Sequence, residues 1–169
     1  DRPVSGVMML ARTSKGASRL SAQIRERTVS KRYVAAVEGR LEGGQTLTGF
    51  LRKDRDRSRI VSKGDADAKA VRLTYRSLWA SDTFSIVDVE LETGRAHQIR
   101  VQLAQAGHPL VGDRRYDATS AFLPKRIALH ASRFECKHPT RNEQVVLSAL
   151  PDDWPGPFAR ALSQVSYSE

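Results

Sequence analysis

The chain of 169 residues has a single cysteine, Cys136, so it contains no internal disulfide framework and suits a reducing compartment. Its longest apolar runs, such as residues 7–11, are far too short to span a bilayer. No secretory hydrophobic segment is visible, although the first residue is Asp1 rather than Met. These absences predict a cytoplasmic globular protein without a membrane association.

The usual cofactor and metal motifs are also missing from the sequence. There is no glycine-rich loop of the kind that cradles nucleotide phosphates, and no Gly-x-Ser-x-Gly turn that would carry a nucleophilic serine. The histidines do not have the spacing of metal ligands; they are His97, His108, His130 and His138. We therefore predict that the protein uses neither a cofactor nor a metal ion.

Charge is the most prominent property that the sequence does have. Lysine and arginine total 28 against 19 acidic residues, which gives a net charge of +9. Such an excess favours a polyanionic partner, because each phosphate that is neutralised releases condensed counterions. A solvated basic surface that only aids solubility is the alternative. Aromatic residues make up 7% of the chain, which argues against a platform of stacked single-stranded bases.

Hydrophobic periodicity and turn residues predict one domain with strands in runs and a few helices between them. The predicted strands cover residues 4–12, 31–37, 70–78, 84–91, 127–136 and 144–148. The predicted helices cover residues 14–25 with Ser14 as the N-cap, 95–106 with Thr93 as a possible cap and Gly107 as the C-cap, and 158–165. Gly43 and Gly44 indicate a turn in a hairpin-like connection, and the polar residues 52–67 indicate a solvated loop or ribbon. This order is typical of an α+β fold with a mixed, mainly antiparallel sheet flanked by helices.

Residues 92–100, Glu-Thr-Gly-Arg-Ala-His-Gln-Ile-Arg, concentrate polar groups where a strand precedes a helix. The free N–H groups of a first helical turn attract an anion, so this segment is a candidate binding site. A capped amphipathic helix with a basic face would give the same pattern.

Several segments resemble the ordered motifs of the RluA-type pseudouridine synthases. They are Asp1-Arg-Pro-Val-Ser-Gly-Val, Lys31-Arg-Tyr33, Thr93-Gly-Arg-Ala-His-Gln-Ile-Arg100, Gly107-His-Pro-Leu-Val-Gly-Asp113 followed by Tyr116, and Leu129-His-Ala131. The resemblance extends over residues 1–151. It implies the pseudouridine synthase catalytic fold, with residues 1–169 as the larger, C-terminal part of one catalytic domain. It also implies a cofactor-free isomerisation of specific uridines in structured RNA, either rRNA or tRNA, without an obligate protein partner.

The resemblance further implies roles for individual residues. Asp1 matches the catalytic aspartate, Tyr33 the tyrosine that packs on the target uracil and can take a proton, and Arg100 the basic residue that pairs with the aspartate. Expected substrate-binding residues are Arg2, Arg95, His97 and Gln98. The family normally has His-Arg-Leu directly before the aspartate, and no residue precedes Asp1 here, so we expect this chain on its own to lack full competence. A catalytically inactive RNA-binding module and a basic ribosome-associated protein of the same fold are the alternatives.

Overall fold

The chain folds around one mixed β-sheet. The computed structural model describes residue 1 and residues 3–165. The strands of the sheet are β1 (Ser5–Gly6), β2 (Ser30–Glu38), β3 (Gly44–Lys53), β4 (Ser58–Val61), β5 (Lys69–Ala80), β6 (Phe84–Leu91), β7 (Leu129–Lys137) and β8 (Gln144–Ser148). The described helices are α1 (Ser14–Glu26), α2 (Gln98–Gln105) and α3 (Gly156–Ser163), with a 3₁₀ turn at Arg114–Tyr116. The strand order is β1-β7-β2-β6-β5-β3-β4, and β8 also pairs with β7. Apart from the parallel β1–β7 pair, the described pairings are antiparallel, so the predicted fold class is confirmed.

A separate hydrophobic core covers each face of the sheet, and the middle of β2 is therefore buried on both sides. Successive side chains of a strand point to opposite faces. Ala35 therefore belongs to a cluster that includes Leu103 of α2, and Val34 belongs to a cluster that includes Ala161 of α3. The helices α2 and α3 thus lie on opposite faces of the sheet. Within the described residues, no helix is long and apolar enough to cross a membrane.

Most predicted elements are present, with ends that differ by one or two residues. The predicted strands at 31–37, 70–78, 84–91, 127–136 and 144–148 correspond to β2, β5, β6, β7 and β8, and the predicted helices at 14–25 and 158–165 correspond to α1 and α3. The N-cap of α1 is Thr13 rather than Ser14, since the Thr13 hydroxyl accepts a hydrogen bond from Gly16 N at 3.1 Å.

The prediction of a strand at residues 4–12 is wrong for most of its length. Within this segment the strand paired with β7 consists of Ser5 and Gly6, followed by one further hydrogen bond from Val7 N to Ala131 O. Met8 and Leu10 beyond it are 77% and 80% exposed. From Arg133 onward the same edge of β7 is occupied by β8. The apolar residues of this segment therefore leave the sheet because another strand holds the hydrogen-bonding positions that they would need.

The turn at Gly43 and Gly44 does not join neighbouring strands. It leads from β2 into β3, which pairs with β5 and β4 and not with β2. The strands β3 and β4 form an antiparallel hairpin, so the polar stretch at 52–67 is in part a ribbon, as one of its two interpretations proposed. The period of two is obscured in β3 because Gly49 stands on the same face as the buried Leu51 and the apolar Phe50 stands on the other face.

The helix α2 begins at Gln98, three residues later than predicted. His97 has a left-handed backbone (φ 57°), which ends the preceding loop. Thr93 does not cap the helix, because its hydroxyl accepts from Arg72 N at 2.9 Å. The C-cap of α2 is Ala106 rather than the predicted Gly107. Gly107 is the next residue and is left-handed (φ 89°), and the amide of His108 after it donates to Leu103 O at 3.0 Å.

We expect Gly6→Ala to lower the free energy of unfolding by about 2 kcal/mol or more, because Gly6 has φ 115° and a Cβ there would lie 2.3 Å from Ala131 O. The matched control is Gly49→Ala in β3, where no atom lies within 4 Å of the added methyl group. Urea denaturation of both variants measures the difference. Equal stability of Gly6→Ala and wild type would contradict the assigned contact between β1 and β7.

Candidate active site

The carboxylate of Asp1 lies between two basic side chains of the region where α2 begins. Its Oδ2 is 3.2 Å from Arg100 Nη1, and its Oδ1 is 3.2 Å from His97 Nε2. The Asp1 side chain is 29% exposed, so solvent and a ligand can reach it. The structure therefore brings the predicted aspartate and its predicted arginine partner together.

A buried ion pair sets the orientation of Arg100. Its Nε and Nη2 donate to the two carboxylate oxygens of Asp113, each at 2.7 Å. Both side chains are almost completely buried, at 6% and 1% exposure. A bidentate pair holds a planar guanidinium in one plane. Nη1 takes no part in this pair and donates to Asp1, so Asp113 determines where the guanidinium meets the carboxylate.

His97 is held from its other side by Tyr116. The Tyr116 hydroxyl is 2.8 Å from His97 Nδ1 and accepts from Ser58 N at 2.8 Å. Burial lowers the pKa of His97, and the nearby Arg100 charge lowers it further. The imidazole is therefore neutral at pH 7. The tautomer that satisfies both neighbours accepts from the Tyr116 hydroxyl at Nδ1 and carries its hydrogen on Nε2, facing Asp1.

The ring of Tyr116 lies against two guanidinium groups. The Cζ atoms of Arg100 and Arg57 are 5.0 and 5.3 Å from its centroid. Cations at this distance are attracted to the ring face, so Tyr116 links α2 to the β3–β4 hairpin beside the site. Its hydroxyl and its ring thus contact both basic partners of Asp1.

Tyr33 of β2 shares an open cavity with this group. The cavity has a volume of about 410 Å³, and its lining includes Asp1, Tyr33, His97 and Arg100. That volume is in the range of small-ligand pockets. Burial raises the pKa of Tyr33, so its hydroxyl is protonated at neutral pH. All three predicted catalytic side chains therefore line one cavity, with a flat aromatic face among them.

The predicted substrate-binding residues have different surroundings. Arg95 and His97 both line the cavity; Arg95 is exposed, whereas His97 is partly buried. Gln98 is 2% exposed: its Oε1 accepts from the Thr93 hydroxyl at 2.8 Å, and its Nε2 donates to Arg72 O at 3.1 Å. Its amide therefore holds the loop before α2 rather than being free for a ligand. Arg2 lies outside the described residues.

Sequence reasoning assigned no role to Asp113 or to Tyr116, although both are part of the matched motifs. A signal for Asp113 exists, because an arginine on a helix that packs against the core requires a buried acidic partner. Which acid it is depends on the loop after α2.

Over the part of the chain that the structure describes, no group of three or more His, Cys, Asp or Glu side chains is placed to hold a metal ion.

Comparison with known proteins gives consistent matches. A family model described as RNA pseudouridylate synthase matches residues 1–105. The chain is 36% identical over 154 residues to an uncharacterized RNA pseudouridine synthase of Bacillus subtilis, which covers 88% of this chain and 50% of the relative. It is 36% identical over 167 residues to ribosomal large subunit pseudouridine synthase D of Nitrosomonas europaea, over 90% of this chain and 47% of the relative. The tRNA pseudouridine synthase C of Salmonella typhimurium is 32% identical over 176 residues, covering 91% and 67%.

Solved structures show the same fold. The human RNA pseudouridylate synthase domain containing 1 superposes with a TM-score of 0.73 at 29% identity, over 94% of this chain and 67% of that one. The human domain containing 4 has the same TM-score at 21% identity, over 97% and 72%. The chain spans about half the length of the first two curated relatives.

We expect Asp113→Asn to lower the free energy of unfolding by about 3 kcal/mol, because it leaves the partly exposed Asp1 as the remaining counter-charge of the buried Arg100 guanidinium. Asp117→Asn is the matched control, since Asp117 is exposed and only four residues away. Denaturant titration of both variants at neutral pH measures the effect. A loss below about 1 kcal/mol would show that Asp113 does not hold the arginine as described.

A pH dependence follows from the lowered pKa of His97. The unfolded chain, with a histidine pKa near its ordinary value of about 6.5, binds a proton more readily than the folded one. The His97 contribution to stability is therefore fully present above about pH 6.5 and is lost as the pH falls through the folded-state pKa. Thermal or urea unfolding from about pH 7 to about pH 5 should show a steeper loss for wild type than for His97→Gln. Identical slopes for wild type and His97→Gln would refute the assignment.

Proposed function

The chain belongs to the RNA pseudouridylate synthase family, and on that premise we propose that it isomerises a specific uridine in structured RNA to pseudouridine. The observation that carries the proposal is the Asp1 carboxylate, placed between Arg100 and His97 in a cavity that Tyr33 also lines. The reaction breaks the bond from uracil N1 to ribose C1′ and joins C5 to C1′. A proton leaves C5 and a proton is returned to N1, so the product is an isomer of the substrate.

Asp1 is the catalytic group of this proposal, as a nucleophile or in general acid–base work. Arg100 stabilises its ionised form, and the buried Asp113 prevents the guanidinium from turning away. His97 is neutral and therefore adds orientation without adding charge. The carboxylate is thus directed into the cavity by one cation and one neutral hydrogen-bond donor.

Tyr33 supplies the aromatic surface on which the uracil ring packs. Its raised pKa makes a resting phenolate unfavourable, so the hydroxyl enters the reaction as a hydrogen-bond donor. A protonated hydroxyl favours positioning of the uracil as the first role of Tyr33. Abstraction of the C5 proton by Tyr33 would then require positive charge to develop in the substrate later in the reaction. Arg95, exposed at the same cavity, is proposed to contact the RNA.

RNA as the partner is supported by the net charge of +9 and by the names of the relatives, which include enzymes of ribosomal RNA and of tRNA. The target base must be turned out of its stack to enter a cavity of this size, at a cost of a few kcal/mol that phosphate contacts can offset. Several expectations stay predictions: the choice between rRNA and tRNA, the cytoplasmic location, the independence from protein partners and cofactors, and the place of the chain as the larger, C-terminal part of one catalytic domain.

We expect Asp1→Asn to reduce pseudouridine formation at least roughly a thousandfold, because the amide can neither attack C1′ nor exchange a proton as a carboxylate does. RNA affinity should stay equal or increase slightly, since a negative charge near phosphates is removed. Single-turnover pseudouridine yield and filter binding on the same RNA measure the two effects.

The control for Asp1→Asn is Asp82→Asn. Asp82 is an exposed aspartate just before the start of β6, whereas the active-site loop follows the end of that strand. It should leave both yield and affinity unchanged. Near-normal yield from Asp1→Asn would remove Asp1 from the chemistry. RNA binding without pseudouridine formation, by a wild-type protein that carries the family's His-Arg-Leu before Asp1, would favour the inactive RNA-binding module.

A further inference from the structure

Lys31 lies at the edge of the active-site cavity without a role in the reaction described above. It stands two residues before Tyr33 on β2, so both side chains are on the same face of the strand. Lys31 also lines a smaller cavity of about 190 Å³, which adjoins the first and includes Met8 and Arg133 in its lining. Lys31, which is partly exposed, therefore lies where the two cavities meet.

The loop before α2 makes room for the Lys31 ammonium group at Gly94. A Cβ added to Gly94 would lie 3.1 Å from Lys31 Nζ, which is closer than ordinary contact. The backbone of Gly94 does not have the left-handed conformation that favours glycine. A side chain at position 94 would therefore press on the Lys31 ammonium group.

The Lys31 ammonium has no carboxylate partner among the described residues, whereas Arg100 is paired. Burial lowers its pKa, and the Arg27 charge lowers it further. A half-buried cation beside another cation is unfavourable unless an anion arrives to compensate it. Lys31 is therefore a cation of the cavity lining that no described carboxylate neutralises, and an anionic ligand can pair with it.

We propose that Lys31 binds a phosphate group of the RNA backbone at the mouth of the active-site cavity, in the space that Gly94 leaves open. The proposal rests on RNA being the substrate. A phosphate fits better than a uracil carbonyl because it carries the negative charge that Lys31 lacks, and an ammonium group offers three donors to its oxygens. A nucleotide whose base enters the cavity beside Tyr33 leaves its backbone at the rim, where Lys31 lies.

The test measures binding of a single-stranded uridine octanucleotide as a function of salt concentration. Each phosphate contact to a single strand contributes a slope of about −0.7 to log K against log salt. We expect Lys31→Gln to reduce the steepness by about 0.7 and to weaken binding roughly tenfold at low salt. Lys69→Gln is the matched control: Lys69 is exposed, at the start of β5, and does not line the cavity, so its slope and affinity should equal those of wild type.

Gly94→Ala is a second variant that keeps every charge. Its methyl group would lie 3.1 Å from the Lys31 ammonium, so that group has to shift and binding should weaken. An octanucleotide in which neutral methylphosphonates replace the phosphates should bind wild type and Lys31→Gln equally. Far-ultraviolet circular dichroism and thermal melting establish that both variants fold, and Gly94→Ala carries the test if Lys31→Gln does not.

An unchanged salt slope in Lys31→Gln, or unchanged affinity in Gly94→Ala, would overturn the proposal. A difference between wild type and Lys31→Gln that persists with the methylphosphonate probe would assign Lys31 to the base instead and would also overturn it. Binding is measured without turnover, so a wild-type protein that forms no pseudouridine but shows the expected slopes would contradict the proposed function and leave the phosphate site intact.

Discussion

Arg100 and Asp113 share two hydrogen bonds of 2.7 Å in the interior, and the geometry of the cavity depends on them. An unpaired arginine at that depth would be strongly unfavourable, so the loop that carries Asp113 and the helix that carries Arg100 have to remain together. The third nitrogen of the same guanidinium reaches Asp1. A contact that stabilises the fold thereby also sets the position of the carboxylate.

The sheet delivers the remaining parts of the cavity to the same place. Strand β1 brings Asp1 beside β7 through the tight approach of Gly6 to Ala131, and β2 places Tyr33 next to them. Strand β6 leads through the loop at Gly94 into α2. The lining therefore comes from segments that are distant in the chain, and the glycines in it stand where a backbone or an ammonium group approaches closely.

The charges around the cavity have distinct tasks in the proposed reaction. Arg100 is committed to two carboxylates, whereas Lys31 faces no carboxylate among the described residues. His97, neutral and held by Tyr116, orients Asp1 without altering the charge of the site. One cation thus serves the catalytic carboxylate, and the other is available to the substrate backbone.

The amino-acid sequence alone determined the central strands, the first helix and the motif residues that line the cavity. An apolar run is a local property of the sequence. Residues such as Val34 and Val87 belong to such runs because the central strands are buried on both faces of the sheet. Tertiary structure alone decided that most of residues 4–12 lie outside the sheet, since β8 occupies the edge of β7 that this apolar segment would need. It also decided that α2 begins at Gln98, which is bonded to Thr93 and Arg72, and that Asp113 is the partner of Arg100. Strand edges and buried ion pairs join residues that are distant in the chain, and no local pattern records which of them will meet.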